Sequence, residues 1–321
     1  MDDMMGGYFG LELPDVNNFP YRESPHCAYL NSGRSALACL LDNMPRPRRI
    51  YLPRFACHTL YEPCLETDIP LFFYGCHADL TPQLPHDSAE EDLMVLINYF
   101  GLNGDSLSRA ASAFPGRVII DATTALFAVP PEGTSAFYSP RKFAGVCDGG
   151  IALAPFPLTR RPQETDTSAS RALALIQRTE CGALAALPAT EAAEATLRGT
   201  RRSMSPLTRR LLRSIDFDAV ASVRLANYQQ LHRALAPLNR LTLPDSAPSA
   251  PMCYPLVCGI PNLRDELIDA GVALPLFWPE VIDRSPAHTI ENQLARTLLP
   301  LPLDQRYDRN DIEHLLHLIL G

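Results

Sequence analysis

Lysine is almost missing from this chain. Of its 28 basic residues only Lys142 is a lysine, which leaves 27 arginines. Long apolar runs are missing too: no stretch approaches the roughly 20 apolar residues of a membrane span. No basic run interrupts a chain whose net charge is -8. These absences argue against a membrane protein, a binder of anionic membrane surfaces and a nucleic-acid binder. The nine cysteines have no CxxC spacing, and the eight histidines form no HxH or HxxxH pair. Neither a disulfide framework nor a metal site is therefore expected. The opening "MDDMMGGYFG" is acidic and has no apolar signal segment, so the expected compartment is the cytoplasm.

The scarcity of lysine gives Lys142 its interest. Arginine serves wherever only charge or solubility matters. It cannot serve where a neutral amine must attack a carbonyl, because the guanidinium stays protonated. A lone lysine among arginines is a candidate nucleophile. Chance survival in an arginine-biased chain is the competing explanation, and the neighbouring residues have to decide.

With 321 residues, 46% of them apolar, the chain is long enough for one large domain or a large and a small one. In the first half, short apolar runs at 49–55, 69–75, 93–101, 117–122, 135–140 and 150–155 read as buried strands. Helical patterns at 35–44, 58–67 and 106–114 separate the earlier ones. This alternation predicts a mostly parallel, doubly wound sheet, whose ligands sit beyond the carboxyl ends of the strands. Arg54, Asn98, Asp121 and the stretch around Lys142 then gain weight. After a polar, proline-rich loop at 155–170 come helical patterns at 171–187, 205–215 and 218–238. A turn at 244–251 leads into a smaller α+β unit, with strands at 252–260 and 273–279 and helices at 262–271 and 309–320. The expected division is 1–225 and 226–321.

Three features carry chemistry. "YLNSGRSALACLL" (29–41) sets a polar turn before an apolar helix. Free N–H groups there, with Ser32, Gly33, Arg34 and Ser35, suit a phosphate, although taken alone the segment reads first as an ordinary N-cap by Ser32 or Ser35. Asp121 ends the apolar run "VII", where a carboxylate is costly unless it meets a cation or a donor. A protonated pyridine nitrogen is one such cation, and a nearby helix start is the alternative. Lys142 follows 21 residues later, ahead of Gly145, Asp148, Gly149 and Gly150. Phosphate cradle, aspartate and single amine are the parts needed to use pyridoxal 5'-phosphate (PLP).

Several segments resemble the DegT/StrS-like sugar aminotransferases, PLP enzymes of fold type I. They are "GGYFGLELP" (6–14), "LNSGRSAL" (30–37), "IYLPRFACHTLYEPC" (50–64), "NYFG" (98–101), "VIIDAT" (118–123), "SPRKFAGVCDGG" (139–150), "SMSPLTRRLLRSID" (203–216), "VRLANY" (223–228) and "LPLDQRY" (301–307). The resemblance spans nearly the whole chain and is most specific at 118–123 and 139–150. It implies an α/β fold-type-I PLP-transferase with a large, mostly parallel domain, a small C-terminal α+β domain and a homodimer with shared active sites. Lys142 looks like the Schiff-base lysine, Asp121 like the partner of the ring nitrogen, and Arg34 and Ser35 like phosphate contacts. One of Phe55, Cys57 and His58 falls where a residue stacks on the cofactor. Arg201 and Arg202, in "TRRSMS", fall where a loop enters the neighbouring subunit's site.

Departures from the family pattern are specific. Thr124 stands where many members carry a glutamine near the cofactor hydroxyl. Phe137 replaces the serine usually found five residues before the lysine, with Ser135 or Ser139 as substitutes. The chain is also short, which bears on sugar-nucleotide recognition. A lysine at 142 speaks against the family's dehydratase branch, which carries histidine there. The expected activity is transfer of an amino group from an amino-acid donor, glutamate or glutamine, to a keto group on a sugar or small biosynthetic intermediate. Another PLP reaction, such as decarboxylation or elimination, and a catalytically silent partner protein are the alternatives.

Overall fold

The computed structural model describes residues 7–321, so the acidic start of the chain and Gly6 of the first quoted segment lie outside the described residues. In chain order the first elements are β1 (Cys27–Leu30), α1 (Gly33–Asn43), β2 (Ile50–Pro53), α2 (Glu62–Leu65), β3 (Leu71–Tyr74), β4 (Leu93–Ile97), α3 (Gly104–Ala113), β5 (Arg117–Asp121), β6 (Ser135–Tyr138) and β7 (Gly150–Leu153). The helices α4 (Ala169–Cys181), α5 (Leu187–Ala195), α6 (Pro206–Ser214) and α7 (Phe217–Leu235) follow. The chain closes with β8 (Tyr254–Leu256), α8 (Leu263–Asp269), α9 (Glu280–Arg284), α10 (Ile290–Thr297), β9 (Leu299–Leu301) and α11 (Arg309–Leu320).

Seven strands form one sheet in the order β1-β7-β6-β5-β4-β2-β3. From β3 to β6 neighbouring strands are parallel, while β7 runs antiparallel to both β6 and β1. Alternate residues of β5 feed opposite layers: Ile119 belongs to the same buried cluster as Leu37 and Leu40 of α1, while Val118 and Ile120 belong to a second cluster with Leu107 of α3 and Phe217. Both faces are covered, which is why the central strands read as unbroken apolar runs.

All six strands expected in the first half form. The seventh, β1, is not among the runs that read as strands. Three expectations need correction. β3 is not buried: it is the last strand in the sheet, and Phe72 and Phe73 are each 43% exposed. No strand forms at 273–279, where Pro275 and Pro279 lack the N–H a ladder needs. The partner of β8 is β9 instead. The pattern at 171–187 also breaks in two: α4 stops at Gly182, with φ 85°, and α5 begins at Leu187.

Candidate active site

Parallel strands bring their carboxyl ends to one edge. Ile97 at the end of β4 is level with Asp121 at the end of β5, and Asp121 is level with Phe137 of β6. After β6, Pro140 starts a single tight turn in which Lys142 N–H donates to the Ser139 carbonyl at 3.2 Å. That turn aims Lys142 back across the edge. Its Nζ donates to Thr123 Oγ1 at 3.0 Å, and the Thr123 backbone N–H donates to Asp121 Oδ1 at 2.9 Å. A methyl placed on Gly33, at the start of α1, would sit 3.3 Å from Thr123 Cγ2. Thr123 therefore adjoins all three features singled out in the sequence.

The start of α1 is held by a buried polar cluster. Ser32 caps the helix by accepting from Ser35 N–H at 3.1 Å, and Ser35 Oγ lies 2.6 Å from Asn31 Oδ1 and 2.8 Å from the Thr200 carbonyl. Both serine hydroxyls are taken up by these bonds, so the groups this end could offer an anion are its first-turn N–H groups and Arg34. Gly149 donates its N–H to the Asn31 carbonyl at 2.8 Å. Gly150 approaches so closely that a Cβ there would lie 2.0 Å from the Ser32 carbonyl oxygen. The glycine pair lets β7 pass directly beneath the turn.

The charges at the edge are strained by their surroundings. Asp121 is 7% exposed, and among the described residues it forms no ion pair. Burial raises its pKa above the usual carboxylate range, opposed by the charge of Lys142 and by the hydrogen bonding of Thr123. Lys142 is exposed by surface area, on the wall of a cleft, while its amine is crowded by protein on the side of Asp121. Burial lowers its pKa, and Asp121 and Cys57 oppose the shift. Beyond Lys142 opens a cavity of about 610 Å³ whose walls include Arg141, Phe143, Ala174, Arg178, Thr190 and Arg306. These residues fit PLP: one amine of depressed basicity, a buried carboxylate without a cation of its own, and an arginine at a helix N-terminus.

The remaining candidates scatter. Phe55 is sealed in the core, its ring 4.7 Å from that of Trp278 and 5.6 Å from that of Tyr99. Cys57 is half-buried and acts electrostatically on Lys142, while His58 is exposed and packs edge-on against Tyr61. Thr124 turns away: its hydroxyl donates to the Asn98 carbonyl at 2.9 Å and accepts from Phe100 N–H at 3.2 Å. Ser139 is half-buried and its carbonyl, not a capping hydroxyl bond, closes the lysine turn. Arg201 pairs with Asp42 and Glu66 of its own chain, and Arg202 with Glu164 at 3.0 Å. Two further neighbours, Arg141 and Glu194, form an ion pair that no sequence spacing announced.

No protein-family model matches the chain, and no curated protein matches it in sequence. Solved structures do match. The sugar aminotransferase CalS13 from Micromonospora echinospora superposes with a TM-score of 0.67 at 16% identity, covering 92% of this chain and 87% of that one. DesV of S. venezuelae, solved in complex with a ketimine intermediate, gives 0.65 at 16% identity over 95% and 88%. The GDP-4-keto-6-deoxy-D-mannose-3-dehydratase of E. coli, solved with hydrated PLP, gives 0.60 at 13% identity over 94% and 88%. The chain has the α/β PLP-transferase fold of these proteins, the fold expected from the segments around Asp121 and Lys142.

Proposed function

We propose that this protein is a PLP-dependent aminotransferase that moves an amino group from an amino-acid donor, glutamate or glutamine, to a keto group on a sugar or small biosynthetic intermediate. The observation that carries the reading is the chain from Lys142 Nζ to Thr123 Oγ1 at 3.0 Å, and from Thr123 N–H to Asp121 Oδ1 at 2.9 Å. It spans the carboxyl edge of the sheet where such a fold keeps its ligand. Bound PLP supplies a carbonyl that takes up amines and a ring that withdraws electrons from the bond to be broken.

The protein's own groups divide the remaining work. Lys142 holds the cofactor between turnovers and then carries the proton, a role helped by burial, which favours its neutral amine. Asp121 keeps a positive charge on the ring nitrogen, and that charge supplies the cation the buried carboxylate lacks. Thr123 fixes the direction of the amine. Arg34 and the first turn of α1 hold the phosphate. Lysine at 142, and not histidine, favours transfer over the dehydration named for one structural neighbour.

The same reading takes 1–225 as the PLP-binding domain and 226–321 as the smaller one. It makes the enzyme a homodimer, in which apolar side chains such as Phe72, Phe73 and Leu184, the last 84% exposed, are available to a second copy. Its nine unpaired thiols suit the reducing cytoplasm. The test starts from apoprotein mixed with PLP. A visible absorbance band should appear, borohydride should fix one cofactor per chain on Lys142, and Lys142→Arg should lose both band and turnover. Normal transamination by Lys142→Arg would refute the proposal.

A further inference from the structure

Arg141 is the residue before the proposed cofactor lysine, and no role has been given to it. Its guanidinium reaches one partner among the described residues, the carboxylate of Glu194 near the end of α5. The same carboxylate lies 3.6 Å from Arg34 at the start of α1. Arg34 has a second, nearer partner, Glu62 at 3.2 Å. Two arginines from opposite sides of the site thus converge on one carboxylate. They come from the helix start that offers free N–H groups and from the lysine turn. Burial alone would raise the Glu194 carboxyl, but Arg141, with Arg34 and Arg198 behind it, holds it low and charged.

Glu194 rides on a weakly held support. No residue of α5 is buried, and the α4–α5 connection leaves Leu184 and Leu187 largely in solvent. The anchors of this segment are Ala186 and Leu197, with Arg171 of α4 tied to Asp148 and Asp166. A helix without a buried face can be lifted at small cost, since little apolar area is exposed by moving it.

We propose that Arg34 and Arg141 together form the recognition site for a phosphate monoester, and that Glu194 is an internal anion occupying it until such a ligand displaces the carboxylate and α5 with it. A planar guanidinium fork matches phosphate as well as carboxylate, and a dianion meeting two forks and a helix N-terminus outcompetes a single negative charge. Glu194 supplies the ion-pair partner of Arg141, while Arg34 also keeps Glu62. The affinity for the ligand is lowered by the fraction of chains in which the site is closed. This inference rests on the proposed function for the identity of the phosphate monoester, but not for the competition itself.

The experiment therefore uses two ligands on the cofactor-free full chain: inorganic phosphate, followed by calorimetry, and PLP, followed by protein fluorescence. Glu194→Gln keeps the shape of the side chain and removes its charge. It should tighten both ligands by about twofold to fivefold, the scale of a partly exposed ion pair released from competition. Arg141→Gln should weaken both. Trypsin should cut after Arg178 or Arg198 faster in the ligand-bound wild type than in the free protein. Circular dichroism of each variant checks that it is folded. Unchanged or weaker phosphate binding by a folded Glu194→Gln overturns the proposal, as does tightened phosphate binding by Arg141→Gln. Should phosphate obey these expectations while PLP never attaches to Lys142, the aminotransferase reading fails and the competition stands.

Discussion

Gly150→Ala probes the geometry of the site without touching a group that does chemistry. A Cβ at this position would lie 2.0 Å from the Ser32 carbonyl oxygen, 2.3 Å from its carbon and 2.8 Å from Gly33 N. Carbon and oxygen normally stop at about 3.3 Å, so β7 and the Ser32 turn must part by roughly 1.3 Å. Leu30 and Gly150 are paired between β1 and β7, so the displacement reaches the ladder as well. Overpacking of this kind costs about 1–3 kcal/mol and a lost ladder bond about 1 more. Reduced freedom of the unfolded chain returns about 0.4–1 kcal/mol. The net loss is about 1–3.5 kcal/mol, which for a chain of this size, at about 1.5 °C per kcal/mol, lowers Tm by about 2–5 °C. Because the turn that moves also begins α1, inorganic phosphate should bind several-fold more weakly. The control is Gly145→Ala, whose Cβ meets only Leu175 Cδ2, at 4.0 Å; it should stay within about 0.5 kcal/mol of wild type. Differential scanning calorimetry measures the first effect and phosphate titration the second. If Gly150→Ala melts with the wild type and binds phosphate equally well, the close approach does not hold the cradle, and the account given for the glycine pair is wrong.

The other predictions are shorter. Asp121→Asn should still take up PLP, seen by fluorescence, but lose most of its transamination rate, because an amide cannot hold the ring nitrogen positive; a near-normal rate would make the aspartate structural. Labelling of Lys142 by trinitrobenzenesulfonate, located by peptide mapping, should reach half its maximal rate at lower pH than an ordinary lysine, since burial lowers its pKa. Asp121 opposes that shift, so in Asp121→Asn the profile should move lower still; a move upward would contradict the electrostatics described. Mixing inactive Lys142→Ala with the double variant Arg201→Ala, Arg202→Ala should restore part of the activity if those arginines serve the partner's site. Exchange of subunits without recovery, or full activity in the arginine variant alone, would confine them to their pairs with Asp42, Glu66 and Glu164.

What the sequence made legible follows from which interactions are local. Strands β2 and β4 to β7 could be read because each is a short apolar run buried on both faces and bounded by Gly, Pro or Asp. The exposure of Phe72 and Phe73 could not, because it depends on which strand ends the sheet. Lys142 and Asp121 stood out by rarity and by position after a strand. Thr123 left a weaker signal, a hydroxyl two residues beyond the aspartate, where a backbone N–H folds back onto the carboxylate. The Arg141–Glu194 pair bridges 53 residues and two helices, and in a chain with 27 arginines no spacing rule selects it.

The arginine bias is itself informative once the partners are known. Arg48 and Arg49 both fork onto the buried Asp92, and Arg171 reaches Asp148 and Asp166 from a position 6% exposed. Arg48 and Arg49 spread several N–H groups over the two oxygens of one carboxylate, which an ammonium cannot match in geometry, and Arg171 bridges two carboxylates through Nη2. Arg224 does the same for the carbonyls of Pro251 and Met252 and the side chain of Gln305. At 142 the demand is different: one hydroxyl at 3.0 Å, a buried carboxylate nearby and a cleft that favours the neutral form. A guanidinium there would keep its proton through any physiological pH and would bring a second fork into space already bordered by that of Arg141. The single amine thus stands where the surroundings ask for a proton that is more easily lost, and not for several acceptors to be held at once.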